Sequence, residues 1–465
     1  MMPVRPRHSR FPDRLSAAEL GLWLSYRSLQ MTLAPMAHAL ARADGFLRRR
    51  WKKGFLPPGW ESLARFAPSI PSGAAKVSDG PRLWAHAASL GEVAGLWNVL
   101  LDLPECKRLV VTAQTPGGMA RWRQNIAVLQ GGRPDIWPHI APFDHPRLAA
   151  RFLSRWGITH ILLYEGEIWP GWMMAAAKAG IPVLWVAARC PEASFRRWRR
   201  FPALTARLLS GLHFVQARSE IEAGRIQTFC RQSVAVGSDA KAWPHGPMAR
   251  LGLKPPKPPN RPKGLALYCL YRGEWPWVKP LVLEWMKRGE VFVMPRRRED
   301  FAFFRRELRP MGFSFHSENT GAYPSEGRDR RYVLVDAFGQ TQPYWPQCRV
   351  ALVGGSWIPL GGHAFWEPLR HGIRLWSGPH LHHQQPMADE LKEAGLLKVC
   401  LGPDLVRQVG VENLEPSSDG DYRQAYDRFW EKMKVHRERS LGDIRAALSL
   451  ATTKTPVSEL SFGSS

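Results

Sequence analysis

At 465 residues, with 45% hydrophobic content, 21 Trp and 20 Phe, the chain is globular rather than disordered and too long for one ordinary core, so two domains are expected. Its 65 Lys and Arg against 40 Asp and Glu give a net charge of +25, a surface that favours anionic partners: nucleic acid, anionic lipid or phosphorylated substrates. No helix-turn-helix, zinc-finger or RNA-binding motif supports nucleic acid, and the cysteines at 106, 190, 230, 269, 348 and 400 show no paired spacing, which points to a reducing compartment and away from a zinc site.

The first predicted element starts with Ser16 and Glu19, a capping-box pair, followed by Leu20, Leu22, Trp23, Leu24, Leu29, Met31, Leu33 and Met36. Arg27 and Gln30 interrupt, and no run reaches the ~20 apolar residues of a membrane span. Arg48, Arg49, Arg50, Lys52 and Lys53 follow, with Trp51 among them. We read residues 1–53 as an amphipathic, membrane-associating segment with a lipid-facing basic cluster; a helix packed on its own domain is the plainer alternative. The basic-aromatic stretch Phe195-Arg196-Arg197-Trp198-Arg199-Arg200-Phe201 also suits a membrane interface. No cleavable signal peptide is evident.

Short apolar runs then alternate with helical patterns. Strands are expected at Arg82–Ala87, Arg108–Thr112, Thr159–Tyr164, Pro182–Ala187, Leu212–Gln216 and Ser233–Val236. A second series is expected at Leu265–Cys269, Val291–Met294, Tyr332–Val335, Val350–Val353 and Ile373–Trp376. Between the series, Pro244, Pro247, Pro255, Pro256, Pro258, Pro259 and Pro262 exclude helix and central strand, so 244–263 reads as an extended linker. Strands spaced by helices imply parallel sheets with ligands at the strand C-termini. The domains are therefore 54–243 and 264–420, then a long helix over 421–450 and a loose polar tail over 451–465.

The residues that can carry chemistry follow strands. His86-Ala87-Ala88-Ser89-Leu90-Gly91-Glu92 runs from a strand into a helix, and Glu92 in the first turn can take a proton from an attacking hydroxyl. Taken alone, such a glutamate serves the helix dipole. Tyr164-Glu165-Gly166-Glu167-Ile168-Trp169-Pro170 places two carboxylates at another strand end, where sugar hydroxyls or a basic neighbour such as Arg189 would satisfy them. Arginines after Met294-Pro295, first Arg296, can grip a phosphate. Phe338 and Gly339, just beyond Asp336, can pack around a base. Val353-Gly354-Gly355-Ser356 to Gly361-Gly362-His363 leads into a helix start with Glu367, an anion-binding corner with a carboxylate placed for ribose hydroxyls. His380, His382 and His383 lack nearby carboxylate or thiolate partners and read as loop histidines rather than metal ligands.

In this order the motifs resemble those of the 3-deoxy-D-manno-octulosonic-acid (Kdo) transferases, from roughly residue 45 to residue 400. The resemblance rests on Ser89-Leu90-Gly91-Glu92, Pro142-Phe143-Asp144, Glu165-Gly166-Glu167-Ile168-Trp169-Pro170, Ala188-Arg189, Pro295-Arg296, the turn from Gly354 to His363 with Glu367-Pro368, and Gly378-Pro379-His380. It implies an α/β fold of GT-B type, two Rossmann-like domains with parallel sheets facing across a cleft, Glu92 on one side and the turn near 355–362 on the other. It implies an inverting transferase that needs no metal or cofactor. That enzyme would move Kdo from a CMP-activated donor to a lipid A precursor, in lipopolysaccharide core synthesis at the cytoplasmic face of the bacterial inner membrane. By position, Glu92 is then the base. Arg296, Phe338, Gly339, Gly355, Ser356, Gly361, Gly362, His363 and Glu367 bind the donor. Ser89, Gly91, Glu165, Glu167 and Arg189 bind the acceptor. The expected partners are a CMP-activated ulosonic acid, a lipid A precursor and an anionic membrane surface, with no nucleic acid.

The departures from the family pattern lie in the second half. Ala364 stands where the family has Asn, Cys269 and Leu270 replace a Ser-Thr pair, Arg297 replaces a histidine, Gln340 a glutamate and His383 an asparagine. They leave two alternatives: a non-catalytic or repurposed paralogue that binds glycolipid at the membrane, and a GT-B transferase using a UDP-sugar.

Overall fold

The computed structural model describes residues 15–26, 28–29, 82–103, 106, 108–129, 135–241, 243, 264–317, 331–336, 341–412 and 418–451. The basic cluster at 48–53, the proline-rich stretch 244–263, Phe338, Gly339 and the tail beyond 451 lie outside them. The chain forms two compact units, Met1–Trp243 with Val435–Ser465, and Pro244–Lys434.

The first unit is built on seven parallel strands: β1 (Arg82–His86), β2 (Arg108–Ala113), β3 (Asp135–Ile140), β4 (His160–Tyr164), β5 (Val183–Ala188), β6 (Phe214–Ala217) and β7 (Ala235–Val236). Their order is β3-β2-β1-β4-β5-β6-β7, with every pairing parallel. The continuous apolar character of β1, β4 and β5 follows from this arrangement, since helices cover both faces of an inner parallel strand. All five residues of β1 and of β4 are buried. Trp84, Phe152, Trp156, Trp172 and Trp185 fill the core on one side of the sheet.

The second unit repeats the plan with β8 (Gly264–Leu270), β9 (Val291–Pro295), β10 (Ser314–Ser317), β11 (Tyr332–Asp336), β12 (Cys348–Val353), β13 (Arg374–Ser377) and β14 (Leu397–Val399). The order is β10-β11-β9-β8-β12-β13-β14, again parallel throughout. Leu265, Leu267, Val291, Val293, Val350 and Leu352 pack there against Trp275, Val278 and Leu281 of the helix Trp275–Met286. In both units the winding direction reverses beside the first strand, between β1 and β4 and between β8 and β12. The crevice outside strand C-termini at such a reversal is where open α/β sheets bind ligands.

Ser16 and Glu19 form the expected reciprocal cap on a helix over residues 17–26. Its Glu19 and Trp23 are buried, while Leu20, Leu22 and Leu24 are 47%, 43% and 52% exposed. Glu19 Oε1 also accepts the amides of Ala203 at 2.8 Å and Leu204 at 3.1 Å, capping the helix Pro202–Leu209. Among the described residues no helix is long and apolar enough to cross a membrane.

Candidate functional site

In the first unit the reversal lies between β1 and β4, so the segments leaving those strands converge. Ser89 caps the helix Leu90–Leu101, its hydroxyl accepting the Glu92 amide. Glu92 answers by accepting the Ala88 amide on Oε2 at 2.8 Å and the Ser89 hydroxyl on Oε1 at 3.1 Å. The carboxylate is thus pinned to its own helix start while it lines a cavity of about 730 Å³. Gly91 is exposed beside it.

From the β4 side come Glu165 and Glu167, which line the same cavity. Glu165 has φ 59, a left-handed conformation that a side chain adopts at a cost and that structures keep where geometry matters. Its carbonyl is held by the Trp185 indole and by the Arg189 amide. Its buried carboxylate is paired with Lys241 and lies 3.9 Å from Arg189. Glu167 Oε2 accepts the Trp169 indole at 2.7 Å and faces His86 Nε2 at 3.3 Å.

The carboxyls are pushed in opposite directions. Burial, and then the charges of Glu165 and Glu167, raise Glu92 above the usual carboxylate range, against the Ala88 amide and Ser89 hydroxyl that lower it. Burial alone would raise Glu167 too, but the hydrogen bond and charge that His86 offers, with the Trp169 indole, bring it below that range. A carboxyl that resists ionisation beside one that favours it is the pattern of a base and a fixed acceptor.

Arg197, Arg200, Trp198, Phe201, Leu204 and Leu208, from the segments around Glu192–Trp198 and Pro202–Leu209, also line the cavity. The lining thus combines acids, arginines and apolar side chains. The sequence placed Ser89, Gly91, Glu92, Glu165, Glu167 and Arg189 in this region. It missed Lys241, 76 positions from its partner, and the His86 contact, made from within a strand.

The second reversal gathers Glu274 with the turn after β12. Glu274 is fully buried. Its carboxylate accepts the amides of Gly355 at 2.8 Å, Ser356 at 2.9 Å, Trp357 at 3.0 Å and Tyr271 at 3.1 Å. The amides of Gly355 and Ser356, read from sequence as facing a donor phosphate, are therefore turned to this internal carboxylate. Gly354 allows the approach: a Cβ there would lie 2.5 Å from the Cys269 carbonyl oxygen and 2.8 Å from Glu274 Oε2.

His363 comes next in the turn. Its ring stacks on Tyr271 at 5.5 Å with Nε2 2.8 Å from the Tyr271 hydroxyl, and Arg297 lies over the other partner ring at 4.9 Å. Burial, then the charges of Arg296, His383 and Arg297, push His363 down to about 4. Arg296 and Arg297 thus make a cationic corner beside a His363 held neutral, and an anion there would let that ring take a proton. Gly361 and Gly362 follow at φ 89 and 78. The helix Trp366–Arg370 is a single turn, and Glu367 in it accepts the Tyr268 hydroxyl at 2.7 Å, the Trp345 indole at 3.1 Å, the Gln342 amide at 3.2 Å and the Thr341 hydroxyl. His380, His382 and His383 lie outside helices and strands, and among the described residues no three His, Cys, Asp or Glu stand together as metal ligands.

The comparisons bear on both units. The family model described as 3-Deoxy-D-manno-octulosonic-acid transferase (kdotransferase) matches residues 60–242. A probable mitochondrial 3-deoxy-D-manno-octulosonic acid transferase of Arabidopsis thaliana is 26% identical, over 80% of this chain and 83% of that protein. The 3-deoxy-D-manno-octulosonic acid transferase of Bordetella pertussis is 27% identical, over 67% of this chain and 74% of that one. Among solved structures, the UDP-GlcNAc 2-epimerase of Neisseria meningitidis bound to UDP-GlcNAc has the same fold, with a TM-score of 0.51 at 11% identity, covering 79% of this chain and 100% of that one. Two units of parallel sheet at reversal points, with the motifs set on the strand ends in family order, are the α/β architecture of GT-B type. The chain is a glycosyltransferase whose residues 60–242 match the 3-deoxy-D-manno-octulosonic-acid transferase model and which is similar to such transferases over most of its length.

Proposed function

We propose that the protein transfers Kdo, or a related ulosonic acid, from its CMP-activated form to a lipid A precursor. The observation that carries this reading is the cavity of the first unit. Glu92, Glu165 and Glu167 line it together with Arg197, Arg200, Trp198, Phe201 and Leu204. Carboxylates recognise sugar hydroxyls, and arginines beside apolar side chains suit a sugar that carries phosphate and acyl chains. The similarity to 3-deoxy-D-manno-octulosonic acid transferases supports the donor class.

Glu92 is the base. It accepts the proton of the acceptor hydroxyl as that oxygen attacks the anomeric carbon, and the bond to the CMP phosphate breaks with inversion. Among the described residues Glu92 accepts one donor on each oxygen, so lone pairs remain for the substrate. Arg296, with the corner formed by His363 and Arg297, takes the phosphate charge that develops on the leaving group, the electrostatic part of the catalysis. Glu367 meets the ribose, and Phe338 and Gly339 the base.

The enzyme works on a membrane surface, in this reading the cytoplasmic face of the inner membrane. The exposed Leu20, Leu22 and Leu24 and the net charge of +25 support a peripheral attachment to anionic lipid. Incubation with CMP-Kdo and lipid IVA should release CMP, and Glu92→Ala should not. Release unaffected by that substitution removes Glu92 from the mechanism.

One observation favours a second reading, a repurposed paralogue that binds glycolipid without transfer: four donors of the chain already occupy Glu367, and Glu274 occupies the amides of the turn. CMP binding in the micromolar range measured by calorimetry would reject it.

A further inference from the structure

Behind the first-unit cavity runs a chain of hydrogen bonds that ends on Glu167. The Trp84 indole, which can only donate, gives its hydrogen to Thr112 Oγ1 at 2.8 Å. Thr112 Oγ1 lies 2.7 Å from His86 Nδ1, and the hydroxyl has one hydrogen to give. Glu167 as a carboxylate only accepts, so Nε2 carries the hydrogen aimed at it, and Thr112 Oγ1 seats the Nδ1 edge of the ring. Nε2 points at Glu167 Oε2, 3.3 Å away. Parallel pairing of β1 with β2 sets His86 opposite Thr112, and the two-residue period places Trp84 on the same face. Trp84, His86 and Thr112 are fully buried, and the Trp172 ring abuts His86 edge-on at 4.8 Å. The ring has little freedom to turn.

We propose that His86 is a positioning residue: seated by Thr112 and Trp172 with its Nε2–H aimed at Glu167, it fixes Glu167 as an ionised acceptor at the cavity wall and so leaves Glu92 as the carboxyl that exchanges a proton. The inference rests on the reading of Glu92 as base. Among the described residues the charged and titratable groups around the pair include Glu165, Arg189, Tyr164 and Lys241. Glu167 faces His86 from β1 and Trp169 from its own loop. Glu92 faces Glu165 and Glu167 from the segment after β4, with Tyr164 in β4 and Lys241 acting on it from behind. Without the His86 donor, Glu167 would compete with Glu92 for the same proton, and the productive state would need both carboxyls ionised.

The test is the acid limb of kcat/KM for CMP release, compared in wild-type, His86→Leu, Thr112→Val, His86→Gln and Glu92→Ala proteins. His86→Leu should move the limb up by about one pH unit and steepen it toward two protons, the size expected for loss of one charge-assisted hydrogen bond. Thr112→Val should move it the same way by less. His86→Gln, whose amide N–H can replace Nε2–H, should keep the wild-type limb. A uniformly lower kcat/KM with an unmoved limb in His86→Leu would show a structural role only and overturn the inference. A wild-type ring observed by ¹⁵N NMR with its hydrogen on Nδ1 would overturn it too, whether or not the variants fold. Loss of CMP release in Glu92→Ala with an unmoved limb in His86→Leu rejects His86 alone. CMP release retained by Glu92→Ala rejects the reading beneath it.

Discussion

Glu274 accepts the Ser356 amide at 2.9 Å across the reversal point of the second sheet, joining the end of β8 to the turn after β12. With the amides of Gly355, Trp357 and Tyr271 on the same carboxylate, the interaction holds the turn in shape from inside the protein. Glu274→Gln keeps the size but presents an NH₂ to backbone donors and strands some of them. The expected cost is about 2–4 kcal/mol, from charged hydrogen bonds lost and buried donors left unpaired. Urea unfolding followed by a probe in the second unit measures it, and a change below about 0.5 kcal/mol, the scale of an indifferent surface substitution, would refute the bracing role.

As the proposed base, Glu92 sets a pH dependence. Burial and the neighbouring Glu165 and Glu167 raise it above its ordinary value, and a base works only when ionised. Activity should therefore fall as the pH drops through a value above the ordinary 4.5. Glu92→Gln should lower kcat by about 10²–10⁴, the usual worth of a positioned base, with CMP affinity unchanged by calorimetry. An acid limb at or below 4.5 would mean that another group titrates.

Lys241 compensates the buried charge of Glu165. Lys241→Met leaves that carboxylate buried with Arg189 3.9 Å away as its nearest other cation. A loss of about 3–5 kcal/mol is expected, since removing one partner of a buried pair strands the other. The double variant Glu165→Gln with Lys241→Met should recover part of it. Additive losses in a thermal or urea cycle would show that the two residues are not coupled.

His363 gives stability a slope in mildly acid solution. Its folded value of about 4 lies below the ordinary 6.5. Above pH 6.5 the ring is neutral whether folded or unfolded. Below that the unfolded ring takes a proton that the folded ring refuses, so stability falls as pH drops from 6.5 toward about 4. The slope from this group approaches about 1.4 kcal/mol per pH unit. His363→Asn should lose less stability than wild type between pH 7 and pH 5. A bound phosphate reverses the balance by favouring the charged ring, so CMP binding near pH 5.5 should take up protons, seen as buffer-dependent binding heats. Buffer-independent heats would place the phosphate elsewhere.

The central strands could be read from sequence because a strand covered on both faces shows as an uninterrupted apolar run, as in Ile161-Leu162-Leu163 of β4. β3 escaped notice because Asp135, Pro138 and His139 break its pattern, which an edge position tolerates. β10 and β14, also at edges, are short and half polar. The acids of the first unit were visible because each follows such an apolar run. Partners that complete the site were not. Glu274 lies 81 positions before Gly355 and Lys241 76 after Glu165, and only the folded sheets bring them within reach. The turn also looked open to a ligand where the chain supplies its own carboxylate, a contact with no local signature.

The helix Ser418–Ala451 serves both units in succession. Tyr422 and Tyr426 donate to the Ile373 and Arg370 carbonyls of the second unit. Further along, Arg437 clasps Asp102 at 2.6 Å, and the Ser440 carbonyl and Asp443 receive the Gln216 amide at 3.3 Å in the first. The first unit is thus discontinuous in the chain. During synthesis its sheet emerges from the ribosome early but waits for this helix, which arrives only after every strand of the other unit has been made. A fragment cut before residue 244 would lack that closing piece, and adding the missing helix as a separate peptide should restore its resistance to proteolysis.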